Sequence, residues 1–231
     1  MKTNASKPHR FARTIIAASL VAAMAPAFAD ASYQTLPFSQ NWSNAGLIST
    51  NDSWSGAPGI IGYRGDGLTG ADPQTILGEG LLVIDVNANQ NTPNTFTTGG
   101  VSEFQLSDPT IALAGTGTAT ALYIQLRLNT TGLQNIQVAY NLRDVDGSAD
   151  NAVQPVALQY RVGTSGNFIN IPAAFVADAT TANSATQVTP VSVILPAAAN
   201  NQPQLQLRIM TINAGGSDEW VGIDDIAISG S

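Results

Sequence analysis

Three carboxylates fall within seven residues in the run Arg143-Asp144-Val145-Asp146-Gly147-Ser148-Ala149-Asp150-Asn151. A turn centred on Gly147 lets the oxygens of Asp144, Asp146 and Asp150 converge on one point. Calcium takes about six to eight such oxygens at about 2.3–2.6 Å, backbone carbonyls included. An EF-hand loop carries glycine sixth and glutamate twelfth; here the glycine is fourth and the twelfth residue is Pro155, so that motif is excluded. The competing reading is a solvated connecting turn, with Asp146-Gly147 supplying positive-φ geometry. A second acidic group closes the chain, with Asp218 and Glu219 leading into Asp224 and Asp225. If Gly222, Ile226 and Ile228 face a core, a period of two turns Asp224 inward with them. A buried carboxylate must be met by a cation, an arginine or backbone N–H groups. The candidate calcium ligands are therefore Asp144, Asp146, Asp150, Asp218, Glu219 and Asp224, with an arginine or hydrogen-bonded cap as the alternative at Asp224.

The missing residue types narrow the chemistry further. Both lysines (Lys2, Lys7) and the one histidine (His9) lie near the N-terminus, and there is no cysteine. A chain cut after Ala29 would therefore have no Ser-His-Asp or Cys-His nucleophile, no Schiff-base lysine and no His- or Cys-ligated zinc. Its five arginines face sixteen carboxylates, a net charge of −11 against −7 for the whole chain. An acidic surface repels phosphate, so nucleic acid is not an expected partner. Carboxylate chemistry, hard-cation binding, or no catalysis remain. Glu103, Glu219 and Asp225 are the acid/base candidates for a secreted hydrolase, which needs two carboxyl groups about 5–9.5 Å apart. With three glutamates in all, a Glu/Glu glycosidase is poorly supplied.

Residues 1–29 read as a signal peptide. Lys2, Lys7, Arg10 and Arg13 form a positive n-region. Thr14 to Phe28 is apolar apart from Ser19 and Pro26, and Ala27-Phe28-Ala29 is an A-x-A cleavage site before Asp30. A membrane anchor would need about 20 apolar residues; this run is shorter and broken by Pro26. Residues 30–231 are then a single exported domain with no membrane attachment, leaving its oligomeric state open.

The elements that must position these groups have a period of two. Leu122, Ile124, Leu126 and Leu128 alternate with Tyr123, Gln125 and Arg127. Ile136, Val138, Tyr140 and Leu142 alternate with Gln137, Ala139 and Asn141. Val156 to Val162 and Leu205 to Ile209 repeat the pattern. Shorter strands are expected at 81–86, 101–106, 110–114, 188–195 and 220–228. Residues 87–100 carry loop chemistry, and 173–179 is the best short helix. About ten strands with one apolar face each, without helical crossovers, require an all-β, two-sheet antiparallel β-sandwich, of jelly-roll type. Alternation also groups Tyr123, Gln125 and Arg127; Gln137, Asn141 and Arg143; Gln159 and Arg161; and Gln204, Gln206 and Arg208. If these strands are neighbours, their polar faces form a platform that hydrogen-bonds sugar hydroxyls, with Tyr123 to stack on a ring. The plainer reading is an ordinary solvated sheet face.

Phe38-Ser39-Gln40-Asn41-Trp42, then Trp54 and Gly56, and the closing Trp220-Val221-Gly222-Ile223-Asp224-Asp225-Ile226 resemble the two ends of bacterial extracellular jelly-roll modules of concanavalin-like and MAM type. Such modules occur alone or beside nuclease, phosphoesterase and adhesion domains. The resemblance implies an exported, usually non-catalytic module for adhesion or glycan contact, in some cases holding a structural calcium. The alternatives are the carboxylate hydrolase and a purely structural accessory domain.

Overall fold

A computed structural model describes Met1, residues 29–149 and residues 152–231. The signal-peptide reading and Asp150 therefore lie outside the described residues. Thirteen strands follow in chain order: β1 (Gln34–Thr35), β2 (Phe38–Gln40), β3 (Ile60–Tyr63), β4 (Asn87–Gln90), β5 (Gly100–Phe104), β6 (Thr110–Ala114) and β7 (Tyr123–Asn129), then β8 (Gln137–Asp144), β9 (Ala157–Val162), β10 (Ile169–Asn170), β11 (Val188–Ile194), β12 (Leu205–Met210) and β13 (Val221–Ser229). They form a two-sheet, mainly antiparallel jelly-roll sandwich. One sheet runs β1-β7-β12-β9-β10, with β3 also on β7. The other runs β11-β8-β13-β6-β5-β4, with β2 also on β13. The parallel pairs are β1 with β7 and β4 with β5.

The alternating sequences become the core. Ile124, Leu126 and Leu128 of β7, Leu205, Leu207 and Ile209 of β12, and Leu158 and Tyr160 of β9 pack against Val138, Tyr140 and Leu142 of β8 and Val221, Ile223, Ile226 and Ile228 of β13. A smaller cluster, Phe104, Ala112, Ala114, Val145 and Trp220, forms on the outer side of the second sheet. Ala112 and Ala114 lie on the opposite face of β6 from Ile111 and Leu113. Phe96, from the segment after β4, stacks on Trp220 at 5.7 Å between ring centroids and covers this cluster.

Several expected elements differ. The strand expected at 81–86 is reduced to a single bridge at Ile84, with Leu81 and Leu82 exposed. The expected loop 87–100 contains β4, and the expected helix at 173–179 is one 3-10 turn at Pro172–Ala174. Strand β3, Ile-Ile-Gly-Tyr, is buried at every position and has no alternation to reveal it. Its glycine is required by packing, since a Cβ at Gly62 would lie 2.4 Å from the Trp54 ring.

Strand β13 corrects the expected direction of Asp224. Its pairing with β8 slips between Asp224 and Ala227, and Asp225 takes φ 49. This is a β-bulge, which shifts the face of every later residue. Val221 and Ile223 before it and Ile226 and Ile228 after it therefore all face the core, while Gly222 and Asp224 face outward.

Candidate functional site

The polar platform is not an open surface. Gln137 and Asn141 lie on β8, in the other sheet from Tyr123, Gln125, Arg127, Gln159, Arg161, Gln206 and Arg208. Within that second group Tyr123, Gln125, Gln159, Arg161, Gln206 and Arg208 are buried, and Arg127 is half-buried. The segment 64–81 and the turn before β10 roof this face. Gln159 donates from Nε2 to the carbonyls of Pro73 (2.9 Å) and Ile76 (3.2 Å). Arg208 donates to Gln159 Oε1, to the Ile76 carbonyl and to the Gly78 carbonyl at 2.7 Å. Arg161 pairs with Glu79 at 2.6 Å and donates to Gln206. Tyr123 donates its hydroxyl to the Glu79 carbonyl at 3.2 Å. Phe168 lies against both guanidinium groups, 4.3 Å from Arg161 Cζ and 4.0 Å from Arg208 Cζ. Burial lowers the Arg208 guanidinium to about 10. These side chains hold the roof on by supplying donors and acceptors to its backbone, which would otherwise be desolvated without partners.

The acidic residues separate into three settings. Asp224 is buried on the outer face and pairs with Arg143 Nη1 at 2.6 Å, so the arginine alternative holds there. Burial pushes its carboxyl up, and the Asp225 N–H and Arg143 pull it back down. Asp225 is exposed and accepts from Asn141 Nδ2 at 2.9 Å. Asp218 ties two loops, accepting from Gln154 Nε2 and the Ala214 N–H, both at 2.8 Å. Asp144, Asp146 and Glu219 come together. Val221 pairs with Asp144, and the Val145 N–H bonds the Trp220 carbonyl at 3.2 Å, which sets Glu219 opposite Asp146. Among the described residues no three His, Cys, Asp or Glu side chains already stand at the spacing of a metal cage. The acid/base candidates do not pair in a cleft either. Glu103 accepts from the Asn89 N–H at 2.8 Å, at the β4–β5 edge, away from Glu219 and Asp225.

Asp224 and Asp225 are expected to respond differently to substitution. Asp224→Ala leaves Arg143 with Asp108 alone. Because the Arg143 side chain keeps 18% of its exposure, water replaces part of the pair, and the loss is about 1–3 kcal/mol. Asp225→Ala costs about 1 kcal/mol through its left-handed backbone, and Asp225→Gly costs nothing or stabilises. Urea unfolding of the three proteins checks this; an Asp225→Gly protein as unstable as Asp224→Ala would contradict the bulge.

Sequence reasoning missed a polar trough on the flank of the second sheet. One cavity of about 250 Å³ is lined by Asn94, Phe96, Asp146, Ser148, Asp218 and Trp220. A second, of about 400 Å³, is lined by Asn51, Asp52, Arg64, Asp85, Asn87 and Thr98. Thr97, Gly99 and Thr116 line both and join them. Arg64 is fixed in the second cavity by two hydrogen bonds to Asp66, at 2.7 and 2.6 Å. Asp85 accepts from the Val101 N–H at 2.7 Å, and burial pushes its carboxyl up to about 6, with Asp52 adding to the rise. The available signal was the density of Asn and Thr in 87–100, read as loop chemistry alone.

No known family profile matches the chain, and no curated protein matches it. Among solved structures, the K1 cleaved adhesin domain of Lys-gingipain from Porphyromonas gingivalis W83 is similar, with a TM-score of 0.43 at 13% identity over 84% of this chain and 98% of that one. A non-crystalline cellulose specific carbohydrate-binding module, CBM28, gives 0.40 at 11% identity over 63% of this chain and 98% of that one. The xylan-binding module CBM15 gives 0.39 at 11% identity, over 76% and 92%.

Proposed function

We propose that the chain is an exported, non-catalytic β-sandwich module for extracellular binding or adhesion, and that it contacts glycan in the trough that meets at Thr97 and Gly99. The observation that carries this reading is the lining. Amides, carboxylates, hydroxyls and one pinned guanidinium converge on two joined cavities, whose volumes lie near the range of about 300–1,000 Å³ usual for small-ligand sites. Such planar donors and acceptors match pairs of neighbouring sugar hydroxyls. The chemistry of the original platform is thus assigned to a different surface. A second reading, a carboxylate hydrolase, is favoured by Asp85, whose raised carboxyl shares the trough with Asp52.

Affinity electrophoresis against soluble glucan, xylan, galactan and mannan tests the binding site. Retardation by at least one polysaccharide is expected, reduced at least tenfold in Thr98→Trp, which fills the trough from an exposed rim position. Absence of retardation across the panel, or equal retardation of Thr98→Trp, would sink the assignment. Release of reducing ends by the wild type, lost in Asp85→Asn, would favour the hydrolase instead.

A further inference from the structure

The outer face of the β1-β7-β12-β9-β10 sheet gathers three of the five arginines that lie beyond residue 29: Arg127 on β7, Arg161 on β9 and Arg208 on β12. The ion pairs give this group one carboxylate, Glu79, and Arg161 takes it at 2.6 Å. Arg208 is fully buried and is met by an amide oxygen and two backbone carbonyls, all of them neutral. Arg127 is half-buried; its guanidinium reaches the neutral Tyr63 hydroxyl, and its Nε has no hydrogen-bond partner. Among the described residues neither Arg127 nor Arg208 pairs with a carboxylate. A strongly acidic chain thus keeps two unmatched positive charges side by side, and a buried charge is costly until an opposite one meets it.

Gln125 stands where these charges meet. Strand register sets it opposite Arg208 on β12 and Ile61 on β3, two residues before Arg127 on β7. It is 1% exposed, and neither its Nε2 nor its Oε1 has a hydrogen-bond partner. The other amides of this face are occupied: Gln159 by Arg208 and the roof carbonyls, and Gln206 by Arg161 and the Tyr33 hydroxyl, the latter at 2.9 Å. A buried amide without partners costs the folded chain its desolvation. The same register explains what covers Gln125. Arg127 donates its backbone N–H to Gly59 at 2.8 Å, while Tyr63 pairs with Tyr123, so the Arg127 side chain passes Gln125 on its way to Tyr63. The cover is therefore one long, half-solvated side chain that can swing aside.

We propose that Gln125 and Arg127 bind an organic anion whose carboxylate has a hydroxyl beside it, a hydroxy acid or a uronate sugar. Arg127 and Gln125 Nε2 are planar donors, which suit the two oxygens of a carboxylate. Gln125 Oε1 requires a donor, which an ionised carboxylate lacks and a neighbouring hydroxyl supplies. One monovalent anion also answers the charge excess beside Arg208, which no neutral ligand does. Of the polar platform expected from the sequence, this corner keeps groups that the roof leaves unanswered. The inference does not rest on the trough, which lies on the flank of the other sheet.

The test titrates the full chain, followed by NMR chemical shifts and by thermal melting, with four probes: galacturonate, lactate, galactose and acetate. Galacturonate or lactate should bind at millimolar concentration and raise the melting temperature. Galactose, which lacks the carboxylate, and acetate, which lacks the hydroxyl, should bind at least tenfold more weakly. Galacturonate tighter than lactate identifies the anion as a sugar acid; equal binding of the two identifies it as a free hydroxy acid. Arg127→Gln and Gln125→Leu should each lose at least tenfold in affinity, whereas Thr98→Trp, in the trough, should stay within about threefold of wild type. Without ligand, Gln125→Leu should melt at or above the wild type, because it removes an unpartnered buried amide; a merely structural amide would lower the melting temperature. It also supplies the reading if Arg127→Gln does not fold. No shift with galacturonate or lactate at millimolar concentration overturns the site. So does galactose or acetate binding as tightly as they do, or binding that survives both Arg127→Gln and Gln125→Leu.

Discussion

Arg208→Met is expected to lower unfolding stability by about 3–5 kcal/mol, although the new side chain is apolar and of similar length. The guanidinium is fully buried and serves Gln159 together with the carbonyls of Ile76 and Gly78. Methionine leaves these acceptors desolvated without donors, which is the expensive way to alter a buried polar network. The loss should be concentrated in the roof. Hydrogen exchange at residues 64–81 should accelerate before the strands do, because their contact with β9 and β12 runs largely through Arg208, Gln159 and Arg161. Denaturant unfolding gives the magnitude and exchange gives the location. A loss under about 1 kcal/mol would mean the roof is held by its apolar residues instead.

Trp220→Ala is expected to cost about 3–5 kcal/mol, the usual range for a large aromatic removed from a packed cluster. Trp220 is 2% exposed and touches Phe96 and Phe104 at centroid distances of 5.7 and 5.0 Å. Its indole N–H donates to the Phe96 carbonyl at 3.1 Å, so the ring also fixes one wall of the trough. Trp220→Phe should recover most of the packing but not that hydrogen bond. The two variants therefore separate bulk from positioning: Trp220→Ala should lose stability and polysaccharide retardation together, whereas Trp220→Phe should lose about 1 kcal/mol. Urea unfolding followed by circular dichroism measures both. Equal stability of wild type and Trp220→Ala would contradict the packed outer cluster.

The strands were legible where one face is apolar and the other polar, as in β7, β8, β9 and β12. Thr110–Ala114 was bounded correctly because turn residues flank it on both sides. Alternation does not reveal what covers a face. The side chains of β9 and β12 read as solvated because their partners, the carbonyls of Pro73, Ile76 and Gly78, come from a segment about 80 to 130 residues earlier in the chain. Their buried character leaves no mark on their own residue types. The Asp224 error has a different cause. Strict period two fails wherever one extra residue enters a strand, and the bulge at Asp225 reverses parity within a single step. Consecutive aspartates were the one available sign, because Asp tolerates a positive φ better than most side chains.

The placement of the arginines has a consequence for proteolysis. Beyond residue 29 the chain offers trypsin-like enzymes no lysine and five arginines. Four of these, Arg127, Arg143, Arg161 and Arg208, sit within strands β7, β8, β9 and β12. Each of those strands has a neighbour on both sides in its sheet. A protease must draw several residues of extended chain into its own cleft, so these bonds become cleavable only when the sheet opens. Arg64, just after β3, is the remaining site, and its side chain is clasped by Asp66. In a protease-rich extracellular setting, the survival time of the folded chain would then be governed by how often the sandwich opens, not by how many cleavage sites its sequence contains.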